Sequence, residues 1–282
     1  MPNILIAGEL HPSGLEIIKQ NPKYSIDYLK KVSNENFLPY LKNADALIIR
    51  TQTLKKNHIE KAKKLKIVSR HGVGYDNVDY QELKKRNIPL TIVGDVNSTS
   101  VSEHTMMLII SVFKKIILAD FSTRNSLWNY RNNYEPRELY GKNLLIIGFG
   151  RIGKKLGKLA KAFGMNIHVY DPYIENKFDE YEIRHFQNLT TALCDADCIS
   201  LNLPKVDKPI ITKENSQYLK HGVVIINTAR GELIEEKVLL DGLQKGVIFG
   251  VGLDVFDNEP LERNHSLLEY KQVIFTPHQA GL

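Results

Sequence analysis

A chain of 282 residues with 43% hydrophobic and 25% charged side chains has the balance of a soluble globular protein, which excludes a disordered tail. Its length exceeds the roughly 100 to 200 residues typical of one domain, so two compact domains are expected. The net charge of +6 comes with no nucleic-acid motif, and Lys61, Lys63, Lys64 and Lys66 read as a solvated face, so no nucleic-acid partner is expected.

Met1-Pro2-Asn3-Ile4-Leu5-Ile6-Ala7 leads directly into a short apolar strand with no basic leader, which predicts a cytoplasmic location. Apolar runs such as Met106 to Ile110 fall far short of the roughly 20 residues a bilayer requires, so no membrane partner is expected. Strands are predicted at Ile4 to Ala7, Tyr24 to Leu29, Ala46 to Arg50, Lys66 to Ser69 and Leu90 to Val93, with helical intervals between them. This alternation gives a small doubly wound α/β domain over residues 1–97. One long helix is predicted from Ser98 to Phe121, followed by the polar, aromatic stretch Trp128 to Tyr140, which has neither period and reads as a crossing and an arm.

A second parallel set over residues 98–282 begins with Asn143 to Ile147 and continues at Asn166 to Tyr170, Cys198 to Leu203, Val223 to Asn227, Phe249 to Asp254 and Val273 to Thr276. Cys194 and Cys198 are spaced as neighbours on one helix face. No further Cys or His cluster accompanies them, so they are expected to be reduced core residues and no metal site is expected.

Gly148-Phe149-Gly150-Arg151-Ile152-Gly153 joins the strand Leu144 to Ile147 to a helix whose buried face is predicted as Leu156, Leu159, Ala160 and Phe163, stopped by Gly164. Here Gly148 permits a tight turn, Gly150 lets the backbone approach a pyrophosphate and Gly153 allows close packing of helix on strand. The helix N-terminus stabilises phosphate charge. Asp171, 18 residues after Gly153 at the end of the next strand, is placed to accept hydrogen bonds from a ribose and to repel a 2′-phosphate. That combination predicts NAD as cofactor and separates this turn from a merely structural one.

Ligands of an open parallel sheet bind beyond the carboxyl ends of its strands. Three polar residues follow late strands of the second set: Arg230 in Asn227-Thr228-Ala229-Arg230-Gly231, Glu259 in Asp254-Val255-Phe256-Asp257-Asn258-Glu259-Pro260, and His278 after Phe275-Thr276-Pro277. Hydride exchange at an alcohol or carbonyl carbon needs a proton donor and acceptor beside the oxygen and a cation to polarise it. Histidine, whose unperturbed titration lies nearest neutrality, and arginine, whose fork matches a carboxylate, suit those tasks.

These segments, with His71-Gly72-Val73-Gly74-Tyr75-Asp76-Asn77-Val78-Asp79 and the glycine turn, closely resemble the D-isomer-specific 2-hydroxyacid dehydrogenases from about Arg50 to Gly281, five motifs occurring in the family's order. The resemblance implies that His278 is the general acid and base, Glu259 its hydrogen-bonded partner and Arg230 the clamp on the substrate's carbonyl and carboxylate. It implies that Val73 and Gly74 hold the carboxylate or cofactor edge, Asp254 meets the nicotinamide amide, and Pro204, Thr228 and Ala229 line the cofactor cleft. Arg50 is expected either to meet a substrate phosphate or carboxylate or to form a surface ion pair, while His11, His71 and His104 are assigned structural roles.

The expected architecture is α/β with two doubly wound parallel-sheet domains, a flavodoxin-like substrate domain and a Rossmann NAD-binding domain, paired into a homodimer through the long helix and arm. Family members continue past the histidine motif with a helix that completes the first domain, so the resemblance implies a first domain lacking that helix; Gln279 also stands where an aliphatic residue is commoner. The reaction implied is NAD-dependent interconversion of a small D-2-hydroxy acid and its 2-oxo acid. The competing readings are an NAD-sensing, corepressor-like interaction protein and an inactive truncated relative, and turnover of NADH with a 2-oxo acid separates the enzyme from both.

Overall fold

The computed structural model describes residues 1–132, 136–174 and 183–282, and leaves the side chains of residues 34 and 35 out of that description. The chain divides into two units, Met1–Val96 and Asn97–Leu282. In the first unit the elements are β1 (Asn3–Ala7), α1 (Pro12–Lys19), β2 (Ser25–Leu29), α2 (Asn34–Leu41), β3 (Ala46–Ile49), α3 (Lys56–Lys61), β4 (Ile67–Arg70), α4 (Tyr80–Lys85) and β5 (Leu90–Ile92). Their parallel sheet has the order β2-β1-β3-β4-β5, the flavodoxin-like winding. Leu5, Leu47, Ile49 and Val68 from its strands and Phe37, Leu41, Ile59 and Leu83 from its helices form one buried cluster. Among the described residues no helix is long and apolar enough to cross a membrane.

The second unit contains α5 (Ser98–Lys114), α6 (Ile116–Arg124), β6 (Asn143–Ile147), α7 (Arg151–Ala162), β7 (Asn166–Tyr170), β8 (Arg184–His185), α8 (Leu189–Asp195), β9 (Cys198–Leu201), β10 (Val223–Asn227), α9 (Glu236–Gln244), β11 (Ile248–Leu253) and β12 (Val273–Phe275). All strands are parallel in the order β12-β11-β10-β9-β6-β7-β8, and the order reverses between β6 and β9, as in a Rossmann sheet. Side chains of one strand alternate between two cores: Leu145, Ile147, Ile199 and Ile225 on one face, Leu144, Ile146, Cys198 and Val224 on the other. Helix α5 lies close on β11, because a side chain at Gly250 would collide with Val112 and one at Gly252 would crowd Leu108.

Four local expectations are corrected. The predicted helix Ser98 to Phe121 is two helices, broken at Lys115, whose φ of 52° is left-handed. Cys194 and Cys198 do not share a helix face: Cys194 is exposed in α8, and Cys198 is buried in β9, where burial raises its thiol far above the ordinary range. Phe163 is 48% exposed because α7 stops at Ala162, and Gly164 turns the chain away at φ 74°. The two-residue edge strand β8 has no counterpart in the predicted strands. Of the predicted arm, Trp128–Asn132 forms a 3-10 turn and residues 133–135 lie outside the described residues.

The break at Lys115 has a measurable consequence. Its ammonium donates to the Phe249 carbonyl at 3.0 Å and lies 3.8 Å from the centre of the Phe249 ring, which the Arg137 guanidinium also covers at 3.7 Å. Burial, and then the Arg137 charge, lower the Lys115 pKa to about 8. A base with a lowered folded pKa binds fewer protons folded than unfolded, so its penalty is complete below about pH 8 and is relieved as pH rises toward 10.5, the unfolded value. Urea unfolding should therefore show the native protein gaining stability relative to Lys115→Met between those pH values. A constant difference across the window would refute the assignment.

Candidate functional site

Three glycines at the β6–α7 junction meet three different demands. Gly148 has φ 88°, and a side chain there would lie 2.6 Å from Leu203 and 2.7 Å from the Asn202 carbonyl. Gly150, the N-cap of α7, makes no side-chain cap and has open space where a side chain would stand. A side chain at Gly153 would collide with the Gly148 carbonyl. The first turn, with Arg151 and Ile152, thus presents backbone N–H groups and the positive helix end to open space. Asn202 donates to Ser200, yet its buried Oδ1 accepts no hydrogen bond, leaving an acceptor beside the same turn. These residues fit a dinucleotide.

Asp171 directly follows β7, and its carboxylate accepts the Phe149 N–H at 2.8 Å and the Tyr173 N–H at 2.9 Å. It therefore braces the glycine turn as well as offering lone pairs to a ribose, since an ionised carboxylate has about four acceptor positions. Gly153→Ala should weaken NADH binding at least about tenfold, equivalent to about 1.4 kcal/mol, because the obstructing atom is backbone and the turn must open. Fluorescence titration with NADH measures it; unchanged affinity in the folded variant would count against the cradle.

Because the strands are parallel, the segments after β6, β7, β10, β11 and β12 all leave the same edge of the sheet. His278 Nδ1 lies 2.7 Å from Glu259 Oε2, and Glu259 Oε1 accepts the Phe256 N–H at 3.1 Å. This fixes the ring orientation and leaves Nε2 for a reacting group. Arg230 follows β10, and its Nη1 donates to the Ala229 carbonyl at 2.6 Å. The next residue, Gly231, touches the backbone of Phe256 and Asp257 so closely that a side chain could not be accommodated. The loops bearing Arg230, Glu259 and His278 are thereby in contact.

Sequence reasoning gave Asn227 and Thr276 no role in holding these loops and named Thr228 and Asp254 only as cofactor contacts. Asn227 is buried at the end of β10, where its Oδ1 accepts the Ala229 N–H at 3.0 Å and its Nδ2 donates to the Arg230 carbonyl at 2.7 Å. The Thr228 hydroxyl is bonded to that of Thr105 at 2.8 Å. Asp254, fully buried, accepts the Thr276 hydroxyl at 2.5 Å and the N–H groups of Gln279 and Ala280 at 2.9 Å each. His104 Nε2 lies 3.0 Å from the Thr276 hydroxyl and 3.6 Å from Asp254. His278 itself has φ 50°, a left-handed conformation held by this network. Asp254 binds the backbone N–H of Gln279 and not its side chain. Pro204 is exposed just after β9.

In the first unit Arg50 follows β3 and donates to the Glu9 carbonyl at 3.3 Å, while Arg70 ends β4 and donates to Asn77 Oδ1 at 3.1 Å. Asn77 also donates to the carbonyls of Gln52 at 2.7 Å and Arg50 at 3.3 Å, tying the two strand ends together. Desolvation, then the charges of Arg50 and Arg70, hold His71 below the ordinary histidine range. The half-buried Val73 and Gly74 follow on the same loop.

Residues 106–280 match the family model described as D-isomer specific 2-hydroxyacid dehydrogenase, NAD binding domain. D-3-phosphoglycerate dehydrogenase of Methanocaldococcus jannaschii is 38% identical over 285 residues, covering 100% of this chain and 54% of that protein. The chain spans about half the length of several such curated relatives. Glyoxylate reductase of Korarchaeum cryptofilum is 30% identical, covering 99% of this chain and 86% of that protein. The solved D-lactate dehydrogenase of Aquifex aeolicus, complexed with NAD and lactic acid, superposes with a TM-score of 0.86 at 28% identity, covering 99% of this chain and 89% of that one. With its Rossmann sheet and strand-end residues matched in this way, the chain belongs to the D-isomer specific 2-hydroxyacid dehydrogenase family.

Proposed function

We propose that the chain is an NAD-dependent oxidoreductase that interconverts a small D-2-hydroxy acid and the corresponding 2-oxo acid. The observation carrying this reading is the His278–Glu259 pair at 2.7 Å, set at the same sheet edge as the glycine turn and Arg230. Bound NADH supplies the hydride for C2 of the oxo acid. His278 donates a proton from Nε2 to the developing alkoxide, and Glu259 holds the ring in the tautomer that permits it. Arg230 engages the substrate carboxylate and polarises the carbonyl.

Asp171 binds the adenosine ribose, and its charge disfavours a 2′-phosphate, so NADH is preferred to NADPH. Thr228 contributes through its backbone because its hydroxyl is held by Thr105, and Ala229 and Pro204 complete the cofactor contacts. Asp254 acts on the nicotinamide region from beneath, through the loop it anchors. Val73, Gly74 and Arg50 are the substrate-binding residues of the first unit. The linked cations Arg50 and Arg70 favour a substrate with a second anionic group, which puts 3-phosphohydroxypyruvate ahead of hydroxypyruvate and glyoxylate. The test is NADH and NADPH oxidation with those three acids. NADH should be preferred and the phosphorylated acid should have the highest kcat/KM; no turnover by protein that binds NADH would overturn the reading.

We further propose a homodimer. Ile117 and Phe121 of α6 and the following Trp128 are 58%, 57% and 65% exposed, an apolar surface that pairing would cover. Sedimentation equilibrium at micromolar concentration should give twice the chain mass, and a monomer mass would refute it.

A further inference from the structure

Residues four apart share one helix face, and along α5 such a row meets the last strands of the seven-stranded sheet and the segment that follows them. Val112 lies against Gly250 and Leu108 against Gly252, so close that a side chain on either glycine would crowd it. This apolar half seats the helix on β11 with little freedom to slide. The other half of the row is polar. His104, its side chain only 12% exposed, reaches the Thr276 hydroxyl at 3.0 Å. The Ser100 hydroxyl lies 3.0 Å from the Ala280 carbonyl and 2.5 Å from that of Leu282.

The proton positions follow from these partners. Asp254 accepts the N–H of Gln279 on Oδ1 and that of Ala280 on Oδ2, so both oxygens act as acceptors and the Thr276 hydroxyl donates its proton to Asp254 at 2.5 Å. Thr276 Oγ1 is then left to accept from His104, which carries its proton on Nε2. Ser100 gives its single proton to the segment after His278 whichever of the two carbonyls takes it. Two donors on one helix face thus grip the chain on either side of His278. Asp254 takes hydrogens from this segment, whereas α5 supplies them, so neither hold replaces the other. Between them His278 keeps φ 50°, a conformation that a non-glycine residue retains only where its surroundings impose it.

We propose that Ser100 and His104 are positioning residues for the reaction, fixing His278 against Glu259 by holding the chain before and after it. The inference rests on the reading of His278 as acid and base. Because the two holds act in parallel, either one alone is dispensable and the loss of both is not.

Ser100→Ala and His104→Leu should each keep kcat within about twofold of native, whereas together they should lower it at least about twentyfold, far beyond the product of the singles. KM for the oxo acid should stay within about twofold, since proton transfer and not substrate binding is disturbed. Ser100→Thr combined with His104→Gln keeps a donor at each place and should restore native kcat. Exchange of the Gln279 and Ala280 amide protons, followed by NMR without substrate, should be at least about tenfold faster in the donorless pair and native in the donor-keeping pair. Ser100→Ala with Thr276→Val removes the same two holds while leaving His104 in place, and decides the matter should the donorless pair fail to fold. Native kcat in the donorless pair, or an equal fall in the donor-keeping pair, overturns the proposal. If the unaltered protein turns over none of the oxo acids, the reading of His278 fails by itself, and the exchange rates still decide whether α5 holds the segment: unchanged exchange in the donorless pair refutes it.

Discussion

His278→Ala is expected to lower kcat by about 10²- to 10⁴-fold, the usual contribution of a positioned acid and base, while NADH affinity stays within about twofold. The separation follows from where the ring is held. His278 bonds to Glu259 through Nδ1 and, among the described residues, makes no hydrogen bond to the glycine turn, so its loss removes proton transfer and leaves the dinucleotide cradle intact. The side chain is 53% exposed, and the change should cost at most about 0.5 kcal/mol of stability, the ordinary range for a surface position. Glu259→Gln should give a smaller fall in kcat, because an amide can still accept from Nδ1 but no longer stabilises the ring when it carries a proton. Steady-state kinetics with 3-phosphohydroxypyruvate and a parallel NADH titration read both effects. Undiminished kcat in His278→Ala would remove the proposed mechanism.

The dinucleotide turn was legible because its information is local: three glycines, a strand before them, a helix after them and an acid at a fixed distance. The structure adds that Asp171 also accepts the Phe149 N–H, a contact between two loops that spacing alone does not specify. The three strand-end residues could be singled out because parallel strands deliver their carboxyl ends to one edge, and the family motifs narrowed the choice among polar residues there.

What stayed hidden depended on distant partners. Nothing in Lys114-Lys115-Ile116 announces a break; the left-handed turn at Lys115 is accompanied by contacts with Phe249, 134 positions later. Strand β8 is two polar residues long, too short to show a period. Thr276 and His104 are 172 positions apart, so the histidine offered no sign that it sits under the loop bearing His278. Asp254 was recognisable as an acid at a strand end, but whether such an acid meets a ligand or anchors backbone depends on donors 22 to 26 positions downstream.

Asp254→Asn provides the sharpest test of that anchoring. The carboxylate receives three donors, from the Thr276 hydroxyl and the Gln279 and Ala280 N–H groups, at 2.5 to 2.9 Å in a fully buried setting. Asparagine has the same shape but only one acceptor oxygen, and its NH2 group must face a donor. At least one charge-assisted hydrogen bond is lost and a buried donor is left unpaired, for a cost of about 3 kcal/mol. The functional loss should exceed what that figure suggests. His278 holds φ 50° only because the residues following it are fixed, and a loop released toward ordinary backbone angles carries the imidazole away from Glu259. The variant should therefore lose kcat about 10²-fold or more while still binding NADH, and the ring proton bonded to Glu259 should disappear from its downfield NMR spectrum. Thr276→Val, which removes one donor and leaves the two backbone bonds in place, should cost about 1 kcal/mol and retain most of the activity. An Asp254→Asn variant with reduced stability but native kcat would show that the acid supports the fold alone and that His278 is positioned by Glu259.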